Sequence, residues 1–220
     1  MHKSILITSL LLLSASSLAC NKASASVMTI PDPAVDETLR NTSAKQTVVL
    51  AGGCFWGVEA VFEHVKGVTD VRAGFAGGKG SVSYEEVSTG NTGYAESVQI
   101  TYDPSKITYG KLLKVFFAVA HDPTEINRQG PDVGPQYRSA IFYSTDEQKR
   151  IAQAYIDQLN TAKVFRRPLA TELANLESFH EAESYHQNYL ANHPNEPYIV
   201  YNDQPKLENL RREFPDLYKD

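Results

Sequence analysis

From residue 46 onward the apolar positions follow two alternating periods, and each change of period marks a new element. "TVVLA" (47–51) is a short β-branched run that stops at Gly52-Gly53, as a buried strand does. Directly after it, Val58, Val61, Phe62 and Val65 fall at i, i+3, i+4 and i+7, the stripe of an amphipathic helix. Further strands are predicted over "VTDVRAGFA", "ESVQITY" (where Val98, Ile100 and Tyr102 alternate), "RSAIFYS" and "LATELANL". Helices lie between them. "TYGKLLKVFFAVA" opens at a Thr108 cap, and "TDEQKRIAQAYIDQL" has Thr145 and Gln148 in capping-box spacing with Ile151, Tyr155 and Leu159 on one stripe. A third helix is predicted through "EAESYHQNYLANH". This mixture, without strict βαβ order, predicts an α+β domain.

Two long polar loops interrupt the pattern, "AGGKGSVSYEEVSTGNTGYAE" and "DPTEINRQGPDVGPQYR". Loops of this length are either disordered or functional, and their Tyr, Glu and Asp content favours function.

Upstream, "MHKSILITSLLLLSASSLAC" combines Lys3, an apolar run from Ile5 to Leu13 and small residues, the layout of an export signal. A bilayer span asks for about 20 apolar residues, so this run is too short to cross. Cuts before Cys20 and before Ser26 both fit a small-x-small site. "SLAC" also resembles a lipobox, in which Cys20 is lipid-modified, although Ser17 and Leu18 depart from the usual Leu followed by a small residue. Residues 26–45, rich in Ala, Ser, Thr, Pro and Asp, carry no apolar period and read as a flexible linker. The expected organisation is an export signal over 1–25, a linker over 26–45 and one domain over 46–220, in the periplasm or cell envelope. The only membrane attachment expected is a lipid at Cys20.

Composition narrows the function. With 42% hydrophobic and 21% charged residues the chain suits one soluble compact domain. A net charge of -5 and the lack of a basic run interleaved with aromatics argue against nucleic acid as a partner. Of the two cysteines, Cys20 is removed by a cut before Ser26 or acylated at a lipobox, and only a plain cut before Cys20 keeps its thiol, so Cys54 is the one certain thiol of the mature chain, in a compartment that oxidises thiols. Free cysteines most often serve as small buried hydrophobes. Here the thiol sits at a strand-to-helix junction, where backbone N–H groups and the helix dipole favour thiolate, and Gly52 and Gly53 open the sulfur to a substrate. Because Val58, Val61 and Phe62 already occupy the helix stripe, at least one of Phe55 and Trp56 should face outward. It would line an apolar recess suited to a methyl group.

The blocks "GGCFWGVEAVFEHVKGV", "SYEEVSTGNTGYAESVQITYDP", "GPDVGPQYRSAIFY", "FHEAESYHQNYL" and "PYIVYNDQPKLENLRREFPDLY" resemble, in this order, successive blocks of the peptide methionine sulfoxide reductase A family, from about Val48 to the end. The resemblance implies a two-layer sheet-and-helix sandwich with a ferredoxin-like core, which reduces the S epimer of methionine sulfoxide in proteins or as the free amino acid; the chain is expected to be a monomer. Carried over residue by residue, it makes Cys54 the nucleophile and gives Phe55 and Trp56 the substrate's S-methyl group. Glu96 becomes the acid for the sulfoxide oxygen, which requires a desolvated site and a raised pKa. Tyr84 and Tyr137 become hydroxyl donors to that oxygen. Asp132 is assigned to orientation, and His186 and Tyr189 to the pocket rim. No bound cofactor or metal is implied. The reductant would be an external thiol, either a dithiol or a thioredoxin-like protein.

Attack leaves a sulfenic acid on Cys54. Many relatives resolve it with a cysteine near the C-terminus, whereas this chain has none after Cys54. Three routes stay open: an external thiol, which we expect; Cys20, on a flexible linker spanning roughly 30 Å; or an off-pathway dimer through Cys54. The alternative function is a cysteine hydrolase pairing Cys54 with His64, His121 or His186. A zinc site in "HEAESYH" fits poorly, since His180 and His186 would stand roughly 120° apart on an α-helix and Glu183 with His186 makes one ligand pair only.

Overall fold

A computed structural model describes residues 30–42, 44–80 and 82–220. The segment expected to be an export signal, Cys20 and the start of the expected linker lie outside them. Strand β1 (Gln46–Gly52) turns at Gly53 and Cys54 into helix α1 (Phe55–Glu63), which returns to β2 (Val68–Ala76). A short helix α2 (Tyr84–Ser88) precedes β3 (Ala95–Tyr102), which leads into α3 (Tyr109–Val115), extended by a π turn over Phe116–Ala120. A hairpin, β4 (Arg128–Gln129) and β5 (Asp132–Val133), and a 3-10 turn over Pro135–Tyr137 lead to β6 (Ser139–Tyr143) and α4 (Asp146–Thr161). The chain then runs through β7 (Glu172–Asn175), β8 (Phe179–Glu181), a 3-10 turn over Ser184–His186, α5 (Tyr189–Asn192), a π turn over Ile199–Asp203 and α6 (Gln204–Glu213).

The main sheet has the order β7-β6-β1-β3-β2-β8. Its four central strands are mutually antiparallel, and α1 joins β1 to β2 across β3, which is the split βαβ of a ferredoxin-like core. β7 extends it in parallel from β6, and β8 extends it antiparallel from β2. The alternation in the sequence sets the faces. Leu50, Ala73, Phe75, Val98 and Ile100 pack with Val58, Val61, Phe62, Leu112, Phe117 and Tyr155 in the helix-side core. Val49, Ala51, Ala95, Ala140 and Phe142 form a smaller cluster on the opposite face. Glu96 stands two residues before Val98, so the same alternation delivers a carboxyl to the helix side.

Four expectations need correction. The polar loop after β2 contains α2, closed by a true capping box between Ser83 and Glu86. At α4, Thr145 does accept from the Gln148 N–H, but Gln148 Oε1 takes the Ser144 N–H and leaves the reciprocal half unmade. The helix predicted through "EAESYHQNYLANH" is instead β8, a 3-10 turn and a left-handed residue, Asn188 at φ 54°, before the four-residue α5. Tertiary hydrogen bonds override helical propensity there: the Gln187 amide bonds both the N–H and the C=O of Ala73, and Glu59 accepts the Asn188 N–H.

The linker is also not free over its whole length. Ile30 is buried in the core, Pro31 C=O accepts from Tyr155, and Gln158 holds Asp32 and Ala34. Asp36 accepts from the Gly110 N–H and from Thr108, at the start of α3, and Glu37 accepts from the Tyr109 N–H and from Tyr102. A segment poor in apolar residues docks because its carboxylates satisfy donors at a helix N-terminus. The docked strap leaves ten residue steps between Cys20 and Ile30, at most about 35 Å of chain.

Candidate active site

Cys54 occupies the N-cap position of α1 and is 7% exposed. The turn that delivers it depends on its glycines. Gly53 adopts φ +90°, and a Cβ there would lie 2.5 Å from Gln129 Cγ. A Cβ on Gly57, one turn into the helix, would lie 2.1 Å from Asp203 Oδ1. Asp203 is fully buried and ion-paired to Lys206 at 3.0 Å, so this pair rests directly on the first turn of α1.

Glu96 approaches from the sheet side, 3% exposed, and its Oε2 accepts the Phe55 N–H at 3.0 Å. Burial pushes its carboxyl up to about 8, with Asp132 and Asp203 adding to the rise and the Phe55 N–H opposing it. At neutral pH the group is therefore mostly a carboxylic acid, able to donate.

The state of Cys54 differs from expectation. Burial raises the thiol well above its ordinary value, and the nearby Glu96 and Asp203 carboxyls add to this, while Lys206 and the Trp56 N–H pull the other way. A helix N-terminus contributes about 0.3–1 kcal/mol, up to about 2 in buried geometries. Desolvating an ion costs several kcal/mol. Desolvation wins, and the resting sulfur is a thiol.

Aromatic rings pack around Phe55 and Trp56, the two residues that follow it. Phe55 is buried, with Phe75 at 5.7 Å, His186 at 5.1 Å and Tyr84 stacked at 6.5 Å between centroids. Trp56 is half-buried, stacks on Tyr189 at 3.7 Å and 7°, and meets the edge of Tyr198 at 5.9 Å. Its indole N–H donates to His186 Nδ1 at 3.2 Å, so the neutral imidazole carries its proton on Nε2, a buried atom without a partner. His186 is 2% exposed, and burial lowers its pKa. Tyr137 stands among Glu96, Asp132, Tyr84 and Cys54, and burial and those charges hold its hydroxyl protonated. Asp132, raised chiefly by burial, accepts a short hydrogen bond from Tyr198. The nine residues singled out in the sequence thus gather around the Cys54 turn, with Cys54, Phe55, Glu96 and His186 buried and Trp56, Tyr84, Asp132, Tyr137 and Tyr189 half-buried.

Comparisons with known proteins place the chain in a family. The family model for peptide methionine sulfoxide reductase matches residues 46–217. The chain belongs to the peptide methionine sulfoxide reductase family. It is 57% identical over 176 residues to peptide methionine sulfoxide reductase MsrA 2 of Mesorhizobium japonicum, covering 80% of this chain and 90% of that one. It is 51% identical over 193 residues to the enzyme of the same name from Synechocystis, covering 86% and 90%. Among solved structures, reduced Mxr1 of Saccharomyces cerevisiae superposes with TM-score 0.64 at 32% identity, over 74% of this chain and 92% of that one. Methionine sulfoxide reductase A of Corynebacterium diphtheriae gives 0.60 at 37%, over 71% and 79%. The activity is that of a peptide methionine sulfoxide reductase.

None of the three histidines named for the hydrolase alternative makes a hydrogen bond to Cys54. His64 bonds Ala60 C=O and stacks on Tyr218 at the far end of α1. His121, lowered by burial to about 3, bonds Phe116 C=O and Ser139 through its two nitrogens. His186 uses Nδ1 on Trp56. The helical spacing invoked against a zinc site does not apply, since His180 lies on β8 and bonds Tyr94 and Ser178. Among the described residues no three metal-ligating side chains gather.

Three groups of this reductase site escaped the sequence reading. Tyr198 was one aromatic among many in "PYIVYND". Glu59, pushed up by burial to about 8, accepts the Asn188 N–H and so fixes the turn between His186 and Tyr189. Asp203 lies 149 positions beyond Cys54 by residue number, and only folding shows that it needs Gly57 to be a glycine. Gly57→Ala is expected to cost roughly 2 kcal/mol in a denaturant titration and to lower reductase activity. The helix gains about 1 kcal/mol, but overpacking costs about 1–3 and a disturbed buried ion pair more. Wild-type stability together with wild-type turnover would show that Asp203 can move aside freely.

Proposed function

We propose that the chain reduces the S epimer of methionine sulfoxide by oxygen transfer to Cys54. The observation that carries this reading is a buried, protonated Glu96 fixed by the Phe55 N–H beside a buried thiol within an aromatic pocket. The methyl group lies against Phe55 and Trp56, and the oxygen faces Glu96, Tyr84 and Tyr137. Glu96 gives its proton to the oxygen while the Cys54 sulfur attacks the sulfoxide sulfur. The hydroxyl passes from the substrate sulfur to Cys54 as the S–O bond and the S–S bond formed by attack both break, the electron pair of the S–S bond returns to the methionine sulfur, the thiol proton restores Glu96, and methionine leaves a Cys54 sulfenic acid. The raised thiol pKa fits this order, because the sulfur becomes electrophilic enough for attack only once its oxygen is protonated.

Regeneration is assigned to an external donor, a dithiol or a thioredoxin-like protein, since no cysteine follows Cys54. Two donor thiols become a disulfide, and the sulfenic oxygen leaves as water. After one turnover without reductant, intact-mass analysis of the mature protein should show a gain of one oxygen at Cys54. A disulfide to Cys20 instead would overturn the external route.

Half-exposed walls at Trp56, Tyr84, Asp132, Tyr137, Tyr189 and Tyr198 support entry of a methionine side chain still attached to a protein. We assign the chain to repair of exported proteins in the periplasm or cell envelope on the strength of residues 1–25 alone, and take it to act as a monomer. Lipid attachment at Cys20 belongs to the same reading.

A further inference from the structure

A groove of about 700 Å³ opens beside the active site, between the π turn after α3, the loop after α4 and α6. It shares a wall with the Cys54 turn. Gln129, on that wall, packs against Gly53 with its other side, and Lys206 holds Asp203 over Gly57. The groove's charge runs against that of the protein. Arg166, Arg167 and Lys206 line it with one carboxylate, Asp122, in a chain of net charge -5. Asp122 already accepts the N–H and hydroxyl of Thr124, and neither arginine is ion-paired among the described residues. The floor, Phe117 and Phe165, is apolar.

The loop that carries the arginines is built rather than loose. Val164 N–H bonds Leu159 C=O, Leu169 N–H bonds Asn160, and Ala170 N–H bonds Pro123 C=O. Arg167 itself donates to Thr124. Cations carried on a braced loop beside apolar rings recognise a carboxylate-bearing surface.

We propose that this groove docks the electron donor, a protein whose reactive thiol is bordered by carboxylates and an apolar side chain. The inference rests on the external regeneration proposed above. None of the groups assigned to the sulfoxide lines the groove, yet its lining residues Gln129 and Lys206 stand against Gly53 and Gly57, in the turn and helix that carry Cys54. A docked donor thiolate attacks the sulfenic sulfur, an S–S bond forms as the S–O bond breaks, and the departing hydroxide takes up one proton and leaves as water. The donor's second thiol then breaks the mixed disulfide, leaving a Cys54 thiol and an oxidised donor.

The test compares the full chain with R166E/R167E and R166K/R167K, using an acidic thioredoxin kept reduced by its reductase and NADPH, or dithiothreitol, as donor. In R166E/R167E the KM for thioredoxin should rise roughly tenfold and lose its dependence on ionic strength. R166K/R167K should stay near wild type, and dithiothreitol-driven turnover should be unchanged in both. An unchanged thioredoxin KM overturns the proposal. So does an equal loss with dithiothreitol, or a higher KM for an acidic sulfoxide peptide with the thioredoxin KM unchanged. If wild type shows no dithiothreitol-driven reduction, the underlying assignment of function fails instead.

Discussion

Replacing Cys54 by Ser is expected to leave a folded protein whose sulfoxide reduction is lower by ~10⁴-fold or more. A hydroxyl is a far weaker nucleophile than a thiol, and it offers no sulfur to take up the oxygen. The only other cysteine, Cys20, lies beyond the docked strap. Stability should move the other way. Cys54 sits at an N-cap and makes no side-chain capping bond, whereas Ser is among the preferred N-cap residues, worth about 0.5–2 kcal/mol over residues that cannot cap. The serine is also nearly isosteric, so the close packing of Gly53 on Gln129 survives. Thermal melts should show a variant at least as stable as wild type, while dithiothreitol-driven assays read no turnover. Residual activity within tenfold of wild type would sink the assignment of Cys54 as nucleophile.

That contrast between chemistry and stability also explains which parts of the site were legible in the sequence. The β1-turn-α1 junction was readable because the β-branched run, the two glycines and the helical stripe all occur within 20 residues. Glu96 was readable as chemistry through the family blocks, and its burial follows from the alternation it shares with Val98 and Ile100. The last third was harder. "EAESYHQNYLANH" has helix-like composition, but its backbone is set by Gln187 on Ala73 and Glu59 on Asn188, partners more than 100 positions away. The thiol's protonation was misjudged for a similar reason. The dipole is a local property of α1, but the stronger opposing effects come from burial and from Glu96 and Asp203, which folding brings from distant segments.

Replacing Glu96 by Gln separates these effects. The amide keeps an acceptor for the Phe55 N–H but cannot give a proton, so turnover is expected to fall by ~10²–10⁴. In wild type, activity should decline above pH about 8 as the carboxyl ionises, a limb that Glu96→Gln lacks. Stability carries the opposite sign. Glu96 ionises near 4.5 in the unfolded chain and near 8 when folded, so between these values the native state holds a proton that the unfolded state has released. Its contribution is fully present below pH about 4.5 and is lost as pH rises to about 8, at about 1.4 kcal/mol per pH unit and at most about 5 kcal/mol in all. Glu59, raised to a similar value, adds a loss of the same sign that the variant retains. Urea titrations should therefore show the advantage of Glu96→Gln over wild type growing by several kcal/mol from pH 5 to pH 8. An advantage equal at both pH values would mean that Glu96 is already ionised at rest, and the proton would then have to come from Tyr84 or Tyr137, whose hydroxyls burial keeps protonated.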